Sequence, residues 1–299
     1  MNVGFLGLGL IGASLACALR DRPEINDLIG YGHRPSTVDA ALSKGIIDRA
    51  VDQPEHLLDC CDVVVIATPT LLAQEQMVQL VGIAQTMKTP PILTDVASVK
   101  GNLWRAVEAM DLPCWPEYVV LGHPIAGSER SGVHAAKADL FVDHRVILTP
   151  HEGSSAVAVQ CVAKLWQWAG AEVISMPVEL HDKVLAATSH LPHMLAYSLV
   201  DTLAQSDLSV DIFRYAAGGF RDFTRIASSD PVMWRDIALA NKDEVLNALD
   251  AFSAGLADLR AAIANSDGEQ MMTIFERAKI SRDTFVVKQN TKKDQTDGV

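Results

Sequence analysis

No apolar run in this chain reaches the ~18 residues that a membrane-spanning helix needs. Its five cysteines, at 17, 60, 61, 114 and 161, show no Cys-x-x-Cys pair and no framework pattern. They read as reduced, mainly buried residues of a cytoplasmic protein. Residues 1–20 lack the basic leader of a signal peptide and carry glycines at fixed spacing instead. Basic charge is scarce as well: 25 Lys and Arg stand against 37 Asp and Glu, a net charge of −12. Such a surface argues against nucleic acid or an anionic membrane as a partner. It leaves room for a small acidic substrate, because a single pocket can be locally basic. The remaining composition, 49% hydrophobic and 21% charged over 299 residues, is ordinary for a soluble globular protein and long enough for two domains.

The first half alternates strand and helix signals. Residues 2–6 read as a strand, and Gly7-Leu8-Gly9-Leu10-Ile11-Gly12 follows at once, with helical composition from Ala13 to Arg20. This is a glycine fingerprint in the context it requires. Gly7 permits the tight turn, Gly9 lets a pyrophosphate approach the backbone, and Gly12 lets the helix pack on the strand. The helix N-terminal amides, at Leu10 and Ile11, then face the phosphates. The second strand, 28–32, ends at His33-Arg34. NAD binding calls for a carboxylate about there to accept the ribose 2′-hydroxyl bond. Asp27 comes too early and Asp39 too late. Arg34 can instead fork onto the 2′-phosphate of NADP, or it is a solvated loop residue. The expectation is NADP or NAD, leaning to NADP.

The run 62–67 is a continuous β-branched strand, and Thr68-Pro69 ends it beside the expected cofactor. Strand 92–96 leads into Ser98, which reads as the N-cap of a helix over 99–110 and also lies at the carboxyl edge of the sheet. The apolar run 118–121 precedes Gly122-His123-Pro124-Ile125-Ala126-Gly127-Ser128-Glu129. A histidine at the carboxyl end of a strand is a polar group on a rigid element, where open α/β sheets bind ligands. Strands at 145–149 and 171–176 flank a helix at 154–169. The fold class is α/β, a Rossmann-type doubly wound parallel sheet over 1–176, followed by an all-helical domain over 177–285. The tail 286–299 is polar and reads as disordered.

From Val178 onward helical signals take over. Ser189-His190-Leu191-Pro192-His193 interrupts a helical stripe with a proline, which frees a carbonyl four residues back. His190 and His193 share a face. A metal reading of that pair is poor, because no third ligand is evident. After Gly218-Gly219, Arg221 and Arg225 sit at helical i, i+4 spacing around Asp222. They read as an anion site for a dicarboxylate or as a surface pair. Asp230 reads as an N-cap with Pro231 at the first helical position, opening a helix to about 265. A helix that long suggests a dimer interface.

These motifs together resemble the prephenate/arogenate dehydrogenase family of tyrosine biosynthesis. The resemblance rests on GLGLIG at 7–12, TDVASVKG at 94–101, GHPIAGSE at 122–129, ATSHLPH at 187–193 and GGFRDFTRIASSDPVMWRDI at 218–237. It implies oxidative decarboxylation of prephenate or arogenate with hydride transfer to NAD(P), in a homodimer. It implies that His123 is the catalytic base at the ring 4-hydroxyl and that Ser98 assists there. Arg225 is implied as the anchor of a substrate carboxylate, and His193 as the contact to the side-chain end. Glu129, Asp222 and Trp234 match positions near the cleft, with Trp234 offered across the dimer, and Arg221 is a further candidate. No chorismate mutase segment precedes the match and no regulatory domain follows residue 285, so feedback control by tyrosine is not implied. Two other readings remain open at this point: a β-hydroxyacid dehydrogenase using Lys183, and a non-catalytic NADP-sensing regulator.

Overall fold

The computed structural model describes residues 1–127 and 131–296. Eight strands, β1 (Asn2–Leu6), β2 (Asp27–Tyr31), β3 (Arg49–Ala50), β4 (Val63–Ile66), β5 (Ile92–Asp95), β6 (Val119–Pro124), β7 (Arg145–Thr149) and β8 (Glu172–Ser175), form one sheet. Their order is β3-β2-β1-β4-β5-β6-β7-β8. Helices α1 (Leu10–Leu19), α2 (Pro35–Ser43), α3 (His56–Cys60), α4 (Thr70–Ala84), α5 (Gly101–Glu108) and α6 (Ala156–Trp168) accompany it. The all-helical part comprises α7 (Val178–Leu185), α8 (Leu191–Ala204), α9 (Ser209–Arg214), α10 (Gly218–Thr224), α11 (Pro231–Ala240), α12 (Lys242–Ala264) and α13 (Gly268–Thr296).

Strand β4 shows why the sheet is covered on both sides. Val63 and Val65 belong to one core, with Phe5, Leu15, Phe141 and Trp166. Val64 and Ile66 belong to the other, with Met77, Leu80, Leu93 and Leu121. Alternate side chains of a strand point to opposite faces, so an unbroken apolar run is what a doubly covered strand requires. Each such buried side chain contributes roughly 1.5–3 kcal/mol relative to exposure.

Three expectations need correction. The sheet is not wholly parallel: β6 and β7 pair antiparallel, and β8 follows β7 in parallel. Among the described residues, the β6–β7 connection holds only a short 3-10 turn at Val133–Ala135. Without a helix to carry the chain back across the sheet, the next strand enters from the same end. The helix expected from 231 to about 265 is broken at Asn241, where α11 ends and α12 begins. Asp230 does cap α11, accepting from the amides of Val232 and Met233, with Pro231 in the first turn. Order does not end at 285, since α13 continues to Thr296. By contact alone the chain divides into compact units at Met1–Val245 and Leu246–Val299. Within the first, Trp234, Ile237 and Ala240 of α11 form a small core with Val99 and Leu71.

In the unit Leu246–Val299, Leu246, Phe252, Leu256, Ile263, Met272, Phe275, Ile280 and Phe285 are all exposed. Among the described residues, no helix is long and apolar enough to cross a membrane.

Candidate active site

The glycine turn meets the requirements of a dinucleotide cradle. Gly7 has φ +107, and a Cβ there would lie 2.6 Å from the Ala67 carbonyl oxygen. A Cβ on Gly12 would lie 2.4 Å from the Gly7 carbonyl oxygen. At Gly9 nothing stands within 4 Å, so the backbone is open to a phosphate. Gly9 is the N-cap of α1 and supplies no side-chain cap, which leaves the first amides, those of Leu10 and Ile11, without a side-chain acceptor. Thr68 lies against Gly7 and donates to Gln76 Oε1 at 2.5 Å, while Pro69 caps α4. His33 and Arg34 are exposed just beyond β2, and Arg34 is the N-cap residue of α2. Asp27, at the far end of β2, is engaged with Arg49. These residues fit NAD(P).

At the same carboxyl edge of the sheet, around the ends of β5 and β6, the structure gathers a buried polar cluster. His123 lies within β6, not beyond it, and is only 8% exposed. Its Nδ1 is 2.9 Å from Nε2 of His181, on α7. His181 Nδ1 is 2.8 Å from Asp182 Oδ1. Asp182 also accepts from the backbone amides of Lys100, at 3.0 Å, and Gly101, at 2.8 Å. Burial pushes the Asp182 carboxyl up, but the bond from His181 and those two amides outweigh it and hold it below its usual range. Asp182 is therefore an ionised acceptor, and His181 donates to it from Nδ1. Burial lowers the His181 pKa, so the ring is neutral and its Nε2 can only accept. His123 then donates from Nδ1, which leaves His123 Nε2 as a bare lone pair.

The surroundings keep it bare. Burial first, then the His181, Lys100 and His190 charges, push the His123 pKa well below the usual range. Lys100 is fully buried; its Nζ is ion-paired to Asp95 and donates to the Gly122 carbonyl at 2.6 Å. Asp95 also accepts from the amides of Ala97 and Gly122, at 2.9 and 3.2 Å. Loss of one partner from such a pair costs about 3–5 kcal/mol. Asn241 explains the break between α11 and α12. Its Nδ2 donates to the Asp182 carbonyl at 2.9 Å and to His190 Nδ1 at 3.2 Å.

The histidine-rich kink takes the form of a π-turn over Ala186–His190, in which the Leu191 amide reaches back to the Ala186 carbonyl. Pro192 then sits in the first turn of α8, where its missing amide costs little. His190 is buried, and His193 donates from Nδ1 to the Ser189 carbonyl at 2.9 Å. The His193 ring stacks on Trp234, with centroids 3.5 Å apart and planes at 19°. Trp234 is thus held in place by a ring of its own chain. Burial lowers the His193 pKa and the Arg225 charge lowers it further, against the Ser189 carbonyl.

Arg221 and Asp222 are exposed on α10. They are not in the buried cluster. The helical register linking Arg221 to Arg225 also fails, because α10 ends at Thr224 and tightens into a 3-10 turn at Arg225–Ser228. Ser98 is half-buried in the β5–α5 loop and caps nothing. Helix α5 begins at Gly101, and its capping carboxylate comes from Asp182 on α7. Glu129 lies outside the described residues. The sequence reading missed His181, Asp182, Lys100, Asp95 and Asn241. A signal existed for two of them: Asp95 and Lys100 are charges inside an otherwise apolar strand end. Lys183 is exposed although its neighbours His181 and Asp182 are buried, so it does not serve the site as a β-hydroxyacid dehydrogenase lysine would.

Residues 15–175 match the family described as prephenate dehydrogenase, nucleotide-binding domain, and residues 177–277 its dimerization domain. The cyclohexadienyl dehydrogenase of Zymomonas mobilis is 35% identical over 94% of each chain. The prephenate dehydrogenase of Bacillus subtilis is 37% identical over 95% of this chain and 76% of its own. The crystal structure of prephenate dehydrogenase from Aquifex aeolicus with hydroxyphenyl propionate and NAD+ is 36% identical. It covers 95% of this chain and 98% of its own, with a TM-score of 0.86. With the glycine cradle and the buried histidine cluster in one chain, this protein belongs to the prephenate dehydrogenase family of NAD(P)-dependent oxidoreductases.

Proposed function

We propose that this dehydrogenase converts prephenate or arogenate to 4-hydroxyphenylpyruvate or tyrosine, with His123 as the base. The observation that carries this reading is the 2.9 Å contact between His123 Nδ1 and His181 Nε2, from which a bare His123 Nε2 follows. When bound, NAD(P)+ accepts the hydride. His123 takes the proton of the 4-hydroxyl, as a neutral imidazole suits. Ser98 assists at that hydroxyl. Loss of the ring carboxylate as carbon dioxide leaves an aromatic ring, which makes the step effectively irreversible. Arg225 holds a substrate carboxylate and His193, braced on Trp234, faces the side-chain end. Asp222 and Arg221 border the substrate less directly, and Glu129 is proposed from its motif alone. A kinetic comparison of prephenate and arogenate tests the reading; no turnover of either overturns it.

Arg225→Ala should mainly raise the substrate KM. A charge-assisted bond is worth about 1.5–3 kcal/mol, which corresponds to roughly 10–150-fold. An unchanged KM would move the anchor to Arg221.

NADP is the proposed preferred cofactor. No carboxylate follows β2 to hold a ribose hydroxyl or to repel a phosphate, and no acidic side chain pairs with Arg34 among the described residues. Arg34→Ala should weaken NADP more than NAD, and His33→Asp should shift preference toward NAD. A wild-type preference for NAD of about tenfold or more, ~1.4 kcal/mol, would refute this assignment.

The protein is further proposed to work as a homodimer in the cytoplasm, with no nucleic-acid or membrane partner. The exposed apolar side chains of α12 and α13 support a second copy, because contiguous exposed apolar surface marks an interface. Light scattering at micromolar concentration should return twice the chain mass; a monomer rejects it.

A further inference from the structure

We propose that the base of this site is the His123–His181 pair, with the proton resting on His181 against the Asp182 carboxylate after transfer. This deepens the reading of His123 as base and rests on it. His123 alone is a poor final home for a proton, since it is buried and its Nδ1 partner is a neutral ring, not a carboxylate. His181 is different: its far nitrogen is 2.8 Å from the Asp182 carboxylate. The two rings are joined edge to edge by the 2.9 Å nitrogen–nitrogen bond.

The charges favour movement in that direction. Among the described residues, Lys100 is neutralised by Asp95, with which it forms a fully buried pair. Asp182 is held by neutral donors, the two amides and the His181 ring, and so keeps an uncompensated negative charge. A cation arriving on His181 completes that charge.

The step balances. The substrate O–H bond breaks as a bond forms from hydrogen to His123 Nε2. The His123 Nδ1–H bond breaks as one forms to His181 Nε2. The electron pair left on oxygen becomes the second bond of the carbonyl while hydride leaves carbon 4 for the oxidised nicotinamide. His123 ends neutral with its proton on Nε2, and His181 ends as a cation on Asp182. After product leaves, His123 Nε2 gives its proton to water and the His181 Nε2 proton returns to His123 Nδ1, which restores both starting tautomers. His181 acts through His123 and is a positioning residue that also stores the proton.

The test uses the full-length protein with cofactor bound. His181→Gln retains an acceptor for His123 Nδ1–H but cannot take a proton. Its kcat plateau should fall about 10²-fold, the lower end of what a positioned base contributes. Substrate and cofactor KM should stay near wild type. The acid limb of the kcat–pH profile reports the pair, not either ring. In the variant it should move to lower pH, because Asp182 no longer stabilises the captured proton. Asp182→Asn should move the limb the same way. A plateau near wild type, or a lower plateau with an unmoved limb, overturns the proposal. A second measurement needs no variant: the ring nitrogens of 15N-labelled histidine in the wild type should show His123 protonated at Nδ1 and bare at Nε2. The opposite tautomer overturns the proposal even if the enzyme turns over. If neither cyclohexadienol is turned over, the functional reading fails separately, and the nitrogen spectrum still decides the tautomer chain.

Discussion

His123→Asn should lower kcat by about 10²–10⁴-fold, the usual contribution of a general base. The substitution is mild in shape: asparagine can still donate to His181 Nε2 but has no lone pair that takes up a proton at this pH. The strand that carries it is buried through Val119–Pro124, so the backbone should hold its course. The glycine cradle is formed by other strands, and NAD(P) binding should be unchanged. Steady-state kinetics with a cofactor-binding titration separates these effects. Near-normal turnover would remove His123 from the chemistry, and lost cofactor binding would mean a folding defect.

The second large effect is on stability. Acidification from near neutral to about pH 4 should cost at least about 3 kcal/mol. Burial pushes His190 down to about 4, with the His181 and His193 charges adding to it and Asp182 opposing. An ordinary histidine titrates near 6.5, so the gap is roughly 2.5 units at about 1.4 kcal/mol each. Across that window the unfolded chain binds the proton and the folded one does not. Stability is therefore complete above about pH 6.5, falls with pH, and is fully reduced below about 4. His123 and His181 are shifted in the same direction and add to the loss. Asp182 is shifted downward as a carboxylate, so its contribution survives this window and is lost only in stronger acid. Urea unfolding at several pH values measures the slope, and His190→Asn should flatten it. A wild-type profile that is level between these limits would disprove the account.

The sheet and its glycine turn were legible because their signals are local. Strands β1, β4 and β5 declare themselves by composition, and the fingerprint follows β1 directly. His123 was legible as a histidine at a strand end. Its support was not, because it is assembled from β5, α5, α7 and the α11–α12 break. No spacing rule links Lys100 to Asp182, yet their backbone and side chain meet at 3.0 Å. The misreading of Ser98 has the same origin. A serine before a helix is a sound local cap, but a carboxylate from a distant helix took that role and the helix began later. The long helix to 265 failed for a comparable reason, since Asn241 spends its side chain on Asp182 and His190 and the chain turns there. The direction of β7 depended on a missing crossover helix, which only a reading of the whole connection reveals.

Helix α5 opens on Gly101, where an added Cβ would lie 2.5 Å from Asp182 Oδ2. An engineer seeking heat resistance would choose this position early. A helical glycine with ordinary backbone angles normally rewards replacement by alanine with about 0.4–1 kcal/mol. Here the methyl group would displace the carboxylate that both starts the helix and steadies the histidines. The same position therefore couples durability to turnover, and directed evolution for the first should leave buried Gly101 untouched while exposed helical positions drift.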